Sequence, residues 1–190
     1  MLNLLFRIFA ALAVFIAIVM LIGSLIPRSF ETTSSVVIDS SPEKIFPYIN
    51  RIRLWSEWTM WNPHDITELK VEYSGSEEGE GAVQSWTEPR GKGKLWITES
   101  VTNQSVNFTS SFANFPDMQS SLTLIPQDEK TRVTWISTGS LPPGPFYGWF
   151  GLTFSDSLNR EYKKSLDRLQ RLVEMPTHPE TPPADGNSGD

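Results

Sequence analysis

Hydrophobic and polar positions divide the chain into stretches with different rhythms. From Ile8 to Ile26 nearly every side chain is apolar, Ser24 is the one polar residue, and nothing is charged. Those nineteen positions would span about 28 Å as a helix, close to the ~30 Å hydrocarbon core of a bilayer. Ser29 to Asp39 is rich in Thr, Ser, Val and Ile, and from Ile66 to Ser140 the period is two, broken by turns. From Phe150 to Glu174 it is three to four. The last residues, MPTHPETPPADGNSGD, carry no apolar rhythm.

The stretch from Ser29 to Ser140 resolves into individual elements. The Thr-, Ser-, Val- and Ile-rich segment ending at Asp39 predicts a strand. SSPEKIFPYIN then predicts a short helix, capped by Ser40 or Ser41, with Pro42 in its first turn. Pro47 is expected to kink or shorten it, because proline removes a backbone donor. RIRLWSEW predicts a second short helical piece before the aromatic turn WTMWNPHD. Six strands joined by short turns follow, giving an antiparallel meander. Their inward sets centre on Trp86, on Leu95, Ile97 and Glu99, on Phe108 and Phe112, on Leu122 and Leu124, and on Val133 and Trp135. Leu158, Tyr162, Leu166, Leu169 and Val173 make the stripe of a long closing helix, with Ser155 or Asp156 as its cap. The expected fold class is α+β, a curved antiparallel sheet wrapped around a long C-terminal helix, plus one transmembrane helix.

The apolar run has two readings. As a cleaved signal peptide it would use Arg7 as its positive region and Ile8–Ile22 as its core. That core is long for a signal peptide, and GSLIPRS offers no Ala-x-Ala site, so an uncleaved anchor is preferred. The division is then 1–27 membrane anchor, 28–174 folded domain and 175–190 disordered acidic tail. The bilayer is the partner of residues 8–26. Arg7 before the span suggests an inner N-terminus and an extracytoplasmic domain, although Arg28 follows directly after it.

Net charge narrows the partners. At −6, with pI near 5.0, the chain is ill suited to nucleic acid, which requires concentrated Lys and Arg. The basic residues of the last helical segment alternate with acids and read as a solvated face. There is no cysteine, hence neither disulfide nor thiol chemistry. The two histidines, His64 and His178, lie far apart in the sequence, so no metal site or cofactor is expected. Gly79, Gly81, Gly91 and Gly93 fall between strands and read as turn residues rather than phosphate cradles. No nucleophile elbow or dinucleotide fingerprint occurs. Glu99 is the one titratable residue singled out: sharing a face with Leu95 and Ile97, it would point inward as an acid or base. The rival reading is a solvated strand-end carboxylate. Pro142 to Trp149 reads as a stiff aromatic loop, suited to gating a cavity, entering the membrane interface, or packing on its own domain.

SSPEKIFPYIN, WSEWTMWNP, GEGAVQSW, GKGKLWITE and TRVTW, in that order before a long terminal helix, resemble the START-like superfamily, also called SRPBCC. The likeness is to its polyketide cyclase/dehydrase-like branch and covers Phe30 to Glu174. Pro47 departs from the pattern and leaves the register of the first helix open. The resemblance implies a helix-grip fold with an apolar cavity between sheet and helix for lipids, sterols, polyketides or other hydrophobic molecules. Trp86, Leu95, Ile97, Phe108, Phe112, Leu122, Leu124, Val133, Trp135, Leu158 and Tyr162 are the candidate lining, each of them equally a plain core residue. The leading expectation is a membrane-tethered binding module for a hydrophobic small molecule or lipid. The alternatives are a cyclase- or dehydrase-type enzyme using Glu99 and Tyr162, and a membrane-anchored protein that binds another membrane protein.

Overall fold

In the computed structural model, residues 2–59, 68–89, 91–113 and 115–175 are described. His64, His178 and the tail from Pro176 onward lie outside the described residues. Helix α1 (Leu2–Leu25) contains the apolar run except Ile26 and stops two residues before Pro27. It is long and apolar enough to cross a membrane. After it come β1 (Ser29–Ile38), α2 (Pro42–Asn50), a 3₁₀ turn (Ile52–Leu54) and α3 (Trp55–Trp58). Six further strands follow: β2 (Lys70–Gly75), β3 (Ala82–Glu88), β4 (Gly91–Val101), β5 (Ser105–Phe112), β6 (Met118–Gln127) and β7 (Lys130–Ser140). Helix α4 (Pro145–Glu174) closes the domain.

All seven strands form one antiparallel sheet in the order β1-β7-β6-β5-β4-β3-β2. β1 joins the meander at its far edge, Ser29 opposite Ser140 and Ile38 opposite Thr131. α2 and α3 are the connection from that edge to the other. α4 lies along β1 and buries Tyr162, Leu166 and Leu169. This is the α+β helix-grip arrangement, and the period-two and period-three-to-four patterns located its parts.

Three local expectations change. Pro47 lies inside α2 without ending it; the helix buries Ile45, Phe46 and Ile49 and closes with the Arg51 amide on the Pro47 carbonyl, 3.1 Å. α4 begins at Pro145, so most of the expected aromatic loop is helix, and Ser155 and Asp156 are internal. Proline at the first position costs no hydrogen bond, and Gly144, at φ 136°, makes the turn into it. Lastly, the β4–β5 register slips between Ile97 and Glu99. This bulge breaks the alternation that placed Glu99 with Leu95 and Ile97. Thr98 and Glu99 are both exposed, and Glu99 accepts a hydrogen bond from Asn107 Nδ2 at 2.6 Å.

α1 is not an isolated rod. The chain returns from β7 beside it, the Leu141 amide donating to the Arg28 carbonyl at 2.9 Å. Gly23 and Gly148 then bring α1 and α4 together: a Cβ added at Gly148 would lie 1.9 Å from the Gly23 carbonyl oxygen. Small residues permit such approach between helices in membranes. Trp149 Nε1 donates to the Val19 carbonyl at 3.1 Å.

Gly148→Ala should therefore lower the stability of the full chain in detergent by about 1–3 kcal/mol, an overpacking cost. Gly151→Ala is the control, since its Cβ would meet the Leu141 side chain at 3.2 Å. Equal unfolding midpoints for the two variants would show that α1 and α4 are not in contact.

Candidate ligand pocket

The space between sheet and helices is largely filled by aromatic rings. Tyr162 of α4 stacks on Trp135 of β7, centroids 3.9 Å apart and planes at 9°. Trp135 meets Phe108 and Trp58 edge-on, each at 5.9 Å, and Trp55 meets Phe108 at 4.8 Å. The α3 indoles also serve α2: Trp55 Nε1 donates to the Ile49 carbonyl at 3.0 Å and Trp58 Nε1 to the Tyr48 carbonyl at 3.2 Å. These carbonyls near the end of α2 have no helical partner of their own, which is why tryptophan rather than phenylalanine suits both positions.

At the end of the sheet where α1 joins, α4 and the strands part. A pocket of about 240 Å³ opens there, lined by Phe30, Phe112, Phe115, Pro116, Met118, Ser140, Leu141, Phe154 and Leu158. Its surface is almost wholly apolar. Phe30 and Phe154 form one wall in an edge contact of 4.9 Å. A roomier groove of about 530 Å³ crosses β3, β4 and β5, but Lys92, Lys94 and several hydroxyls line it. Chemistry favours the smaller site for a hydrophobic ligand, because such sites are mainly apolar with few polar groups.

Of the candidate residues, the structure brings Phe112 and Leu158 to this pocket. Leu95, Ile97, Phe108, Leu122, Leu124, Val133, Trp135 and Tyr162 belong to the buried core cluster. Trp86 does too; its ring lies over Gly93, where a Cβ would come within 2.2 Å. Periodicity missed Phe30, Phe115, Pro116, Met118, Leu141 and Phe154. One signal for Phe154 was present: counting back in fours from Tyr162 gives Leu158, Phe154 and Phe150.

Polar chemistry near the core is sparse. The Tyr162 hydroxyl shares a hydrogen bond with Ser137 Oγ at 2.8 Å, and Ser137 another with Ser120 Oγ at 2.6 Å. It also approaches Met118 Sδ, on the pocket wall, at 3.8 Å. Burial pushes the Tyr162 pKa up to about 12, although the bonds to Ser137 and Ser120 pull it back. Gln84 is fully buried, and both its side-chain polar atoms lack a partner among the described residues, as does Ser110 Oγ. Register places both opposite Leu95, and Ser110 also opposite Met118. Glu99 and Tyr162, the pair an acid–base reading needs, are not brought together: one is exposed beside Asn107, the other buried against Ser137. Among the described residues no group of three or more metal-ligating side chains is clustered.

Two outcomes follow. A raised folded-state pKa means that the Tyr162 contribution is intact below pH ~10 and lost as pH rises through about 12. Alkaline unfolding should thus cost the wild type up to roughly 3 kcal/mol across that interval that Tyr162→Phe does not lose; parallel pH–stability curves would refute this. Gln84→Met should stabilise by about 1–3 kcal/mol by removing unpaired buried polar atoms, measured by denaturant unfolding. A loss instead would reveal a bound water or ligand group that pairs with Gln84.

A family model described as polyketide cyclase / dehydrase and lipid transport matches residues 29–174, from the first residue of β1 to the last of α4. Among curated proteins, none matches the chain. Solved structures do. A Staphylococcus aureus protein of unknown function is similar with a TM-score of 0.61 and 10% identity, over 78% of this chain and 95% of that one. A Thermus thermophilus protein aligns with a TM-score of 0.57 and 16% identity, over 76% and 97%. A protein of the dynemicin biosynthetic locus aligns with a TM-score of 0.54 and 17% identity, over 76% of this chain and 47% of that one. At such identities the likeness shows the fold alone, while the family match spans the whole sheet-and-helix unit. The chain belongs to the polyketide cyclase/dehydrase and lipid transport family.

Proposed function

We propose that this protein is a membrane-tethered module that binds the apolar part of a lipid or of a similar hydrophobic small molecule in the pocket between α4 and the end of the sheet. The observation that carries this is position. The apolar pocket is lined by Phe30, a few residues after the end of α1, and by Leu141, bonded to the Arg28 carbonyl, rather than by the far end of the sheet. A tether at that end sets the mouth beside the bilayer. The family description, which includes lipid transport, agrees.

Size narrows the ligand. About 240 Å³ falls below the ~300–1,000 Å³ usual for drug-sized molecules. One acyl segment fits better than a whole sterol or polyketide. Ser140 is the polar residue of the lining, and Ser110 and Tyr162 stand next to Met118 by register and contact. Following the positive-inside bias of Arg7, the domain stands on the extracytoplasmic side.

The test fills the pocket. In a packed interior Leu158→Trp would cost about 1–3 kcal/mol; over a real pocket it should cost little. With cis-parinaric acid as probe, the variant is expected to bind at least about tenfold more weakly, a change of ~1.4 kcal/mol, at nearly unchanged stability. Equal binding by both proteins, or none by either, would overturn the assignment.

A further inference from the structure

We propose that Pro145–Phe154, the opening turns of α4, insert into the same membrane leaflet as the C-terminal half of α1, so that two helices hold the domain to the bilayer. This rests on the proposed tether through α1 and extends it to a second element. The lipid bilayer is the committed occupant of this exposed apolar face.

The argument begins with depth. If Ile8–Ile26 fills the hydrocarbon core, Ala17 lies near the midplane. Gly23 is six residues further on, hence ~9 Å from the centre, against a half-thickness of ~15 Å. The first turn of α4 is seated at that level: a Cβ on Gly23 would lie 2.4 Å from the Pro145 carbonyl oxygen. Trp149 reaches deeper, to the Val19 carbonyl. α4 then climbs away beside the chain leaving α1. A Cβ on Gly151 would lie 3.9 Å from the Pro27 carbonyl, and Phe154 meets Phe30. Whatever depth the end of α1 has, these turns share it.

Composition agrees independently. No residue from Leu141 to Ser155 is charged, and Asp156 is the first. Phe146 is 68% exposed and Leu152 60%, values costly in water and favourable in lipid. The donors that hydrocarbon would penalise are few or occupied. Pro145 has no amide proton, the Tyr147 amide donates to the Gly144 carbonyl at 3.2 Å, and the Trp149 indole is bonded to α1. Seated this way, the pocket mouth at Phe30, Leu141 and Phe154 meets the hydrocarbon boundary. An acyl chain then passes from leaflet to pocket without crossing water.

The absence of cysteine allows a direct test on the full chain. Phe146→Cys, Leu152→Cys, Leu12→Cys and Lys163→Cys are each spin-labelled in phosphatidylcholine–phosphatidylglycerol vesicles. Collision with oxygen, which concentrates in lipid, is compared with collision with a water-soluble nickel chelate. The labels at 146 and 152 should behave as the label at 12 does, with nickel collision several-fold lower than at 163. Labels at 146 and 152 that match 163, while 12 remains in lipid, would overturn the second insertion and leave the tether standing. A label at 12 exposed to nickel would remove the tether and this inference with it. Labels at 146 and 152 shielded from both reagents would mean that protein covers the face, which also overturns it.

Discussion

A single helix, α4, must suit two unlike surroundings, and the rest of the structure follows from that constraint. Its C-terminal two-thirds lie on the sheet, fixed by Tyr162 stacked on Trp135 and by Leu166 and Leu169. Its first turns have no sheet beneath them. They pack on α1 through Gly23, Gly148 and Trp149. The helix can do both because it is long and its residue types change along its length, uncharged and aromatic before Asp156, mixed-charge after Arg160. Near the change, Ser34 bonds to Asn159 and Thr32 Oγ1 to the Ser155 carbonyl, tying α4 to β1 with polar contacts.

The same division explains where empty space remains. Over the middle of the sheet, large rings from α3, β5, β7 and α4 meet edge-on or stacked, an arrangement that fills volume well. There Trp55, Trp58, Phe108, Trp135 and Tyr162 are buried together with aliphatic side chains such as Leu95, Leu122 and Leu166. Towards the α1 end rings still meet, Phe30 with Phe154 at 4.9 Å and Trp86 with Phe112 at 5.4 Å, but they leave the apolar pocket between them. The apolar pocket lies at the rim, where β1 begins and β7 ends.

Much of the fold was legible in the chain because it depends on local rhythm. Alternation marked the meander, the four-four-three spacing marked α4, and the lone apolar run marked α1. What failed depended on single residues or on distant ones. One extra residue in β4 turned Glu99 to solvent, and no spacing rule announces a bulge. Pro145 and its neighbouring glycines resembled loop chemistry, yet the proline stands where a helix tolerates it and Gly148 makes room for another helix. The pocket was the least legible part. Its lining comes from the ends of β1, β5, β6 and β7, from the segments after β5 and β7, and from the interior of α4, whose convergence is a property of the sheet order rather than of any segment. Phe112 and Leu158 were reached by periodicity, as the last residue of the β5 inward set and the first of the α4 stripe.

The end of the sheet that carries the pocket is fixed by connectivity. β1 begins three residues after Ile26, and β7 must finish opposite that beginning because the two are antiparallel in full register. The turn after β7 therefore falls beside the end of α1, and α4 has to start there. An exposed aromatic start to α4, a loose rim in the core and an apolar helix entering from the same side are thus consequences of one topological choice, the placing of β1 at the sheet edge next to β7. Had the apolar segment preceded a strand at the other edge, the same pocket would stand away from it. Proximity between pocket and α1 is built into the strand order rather than into the side chains that line the pocket.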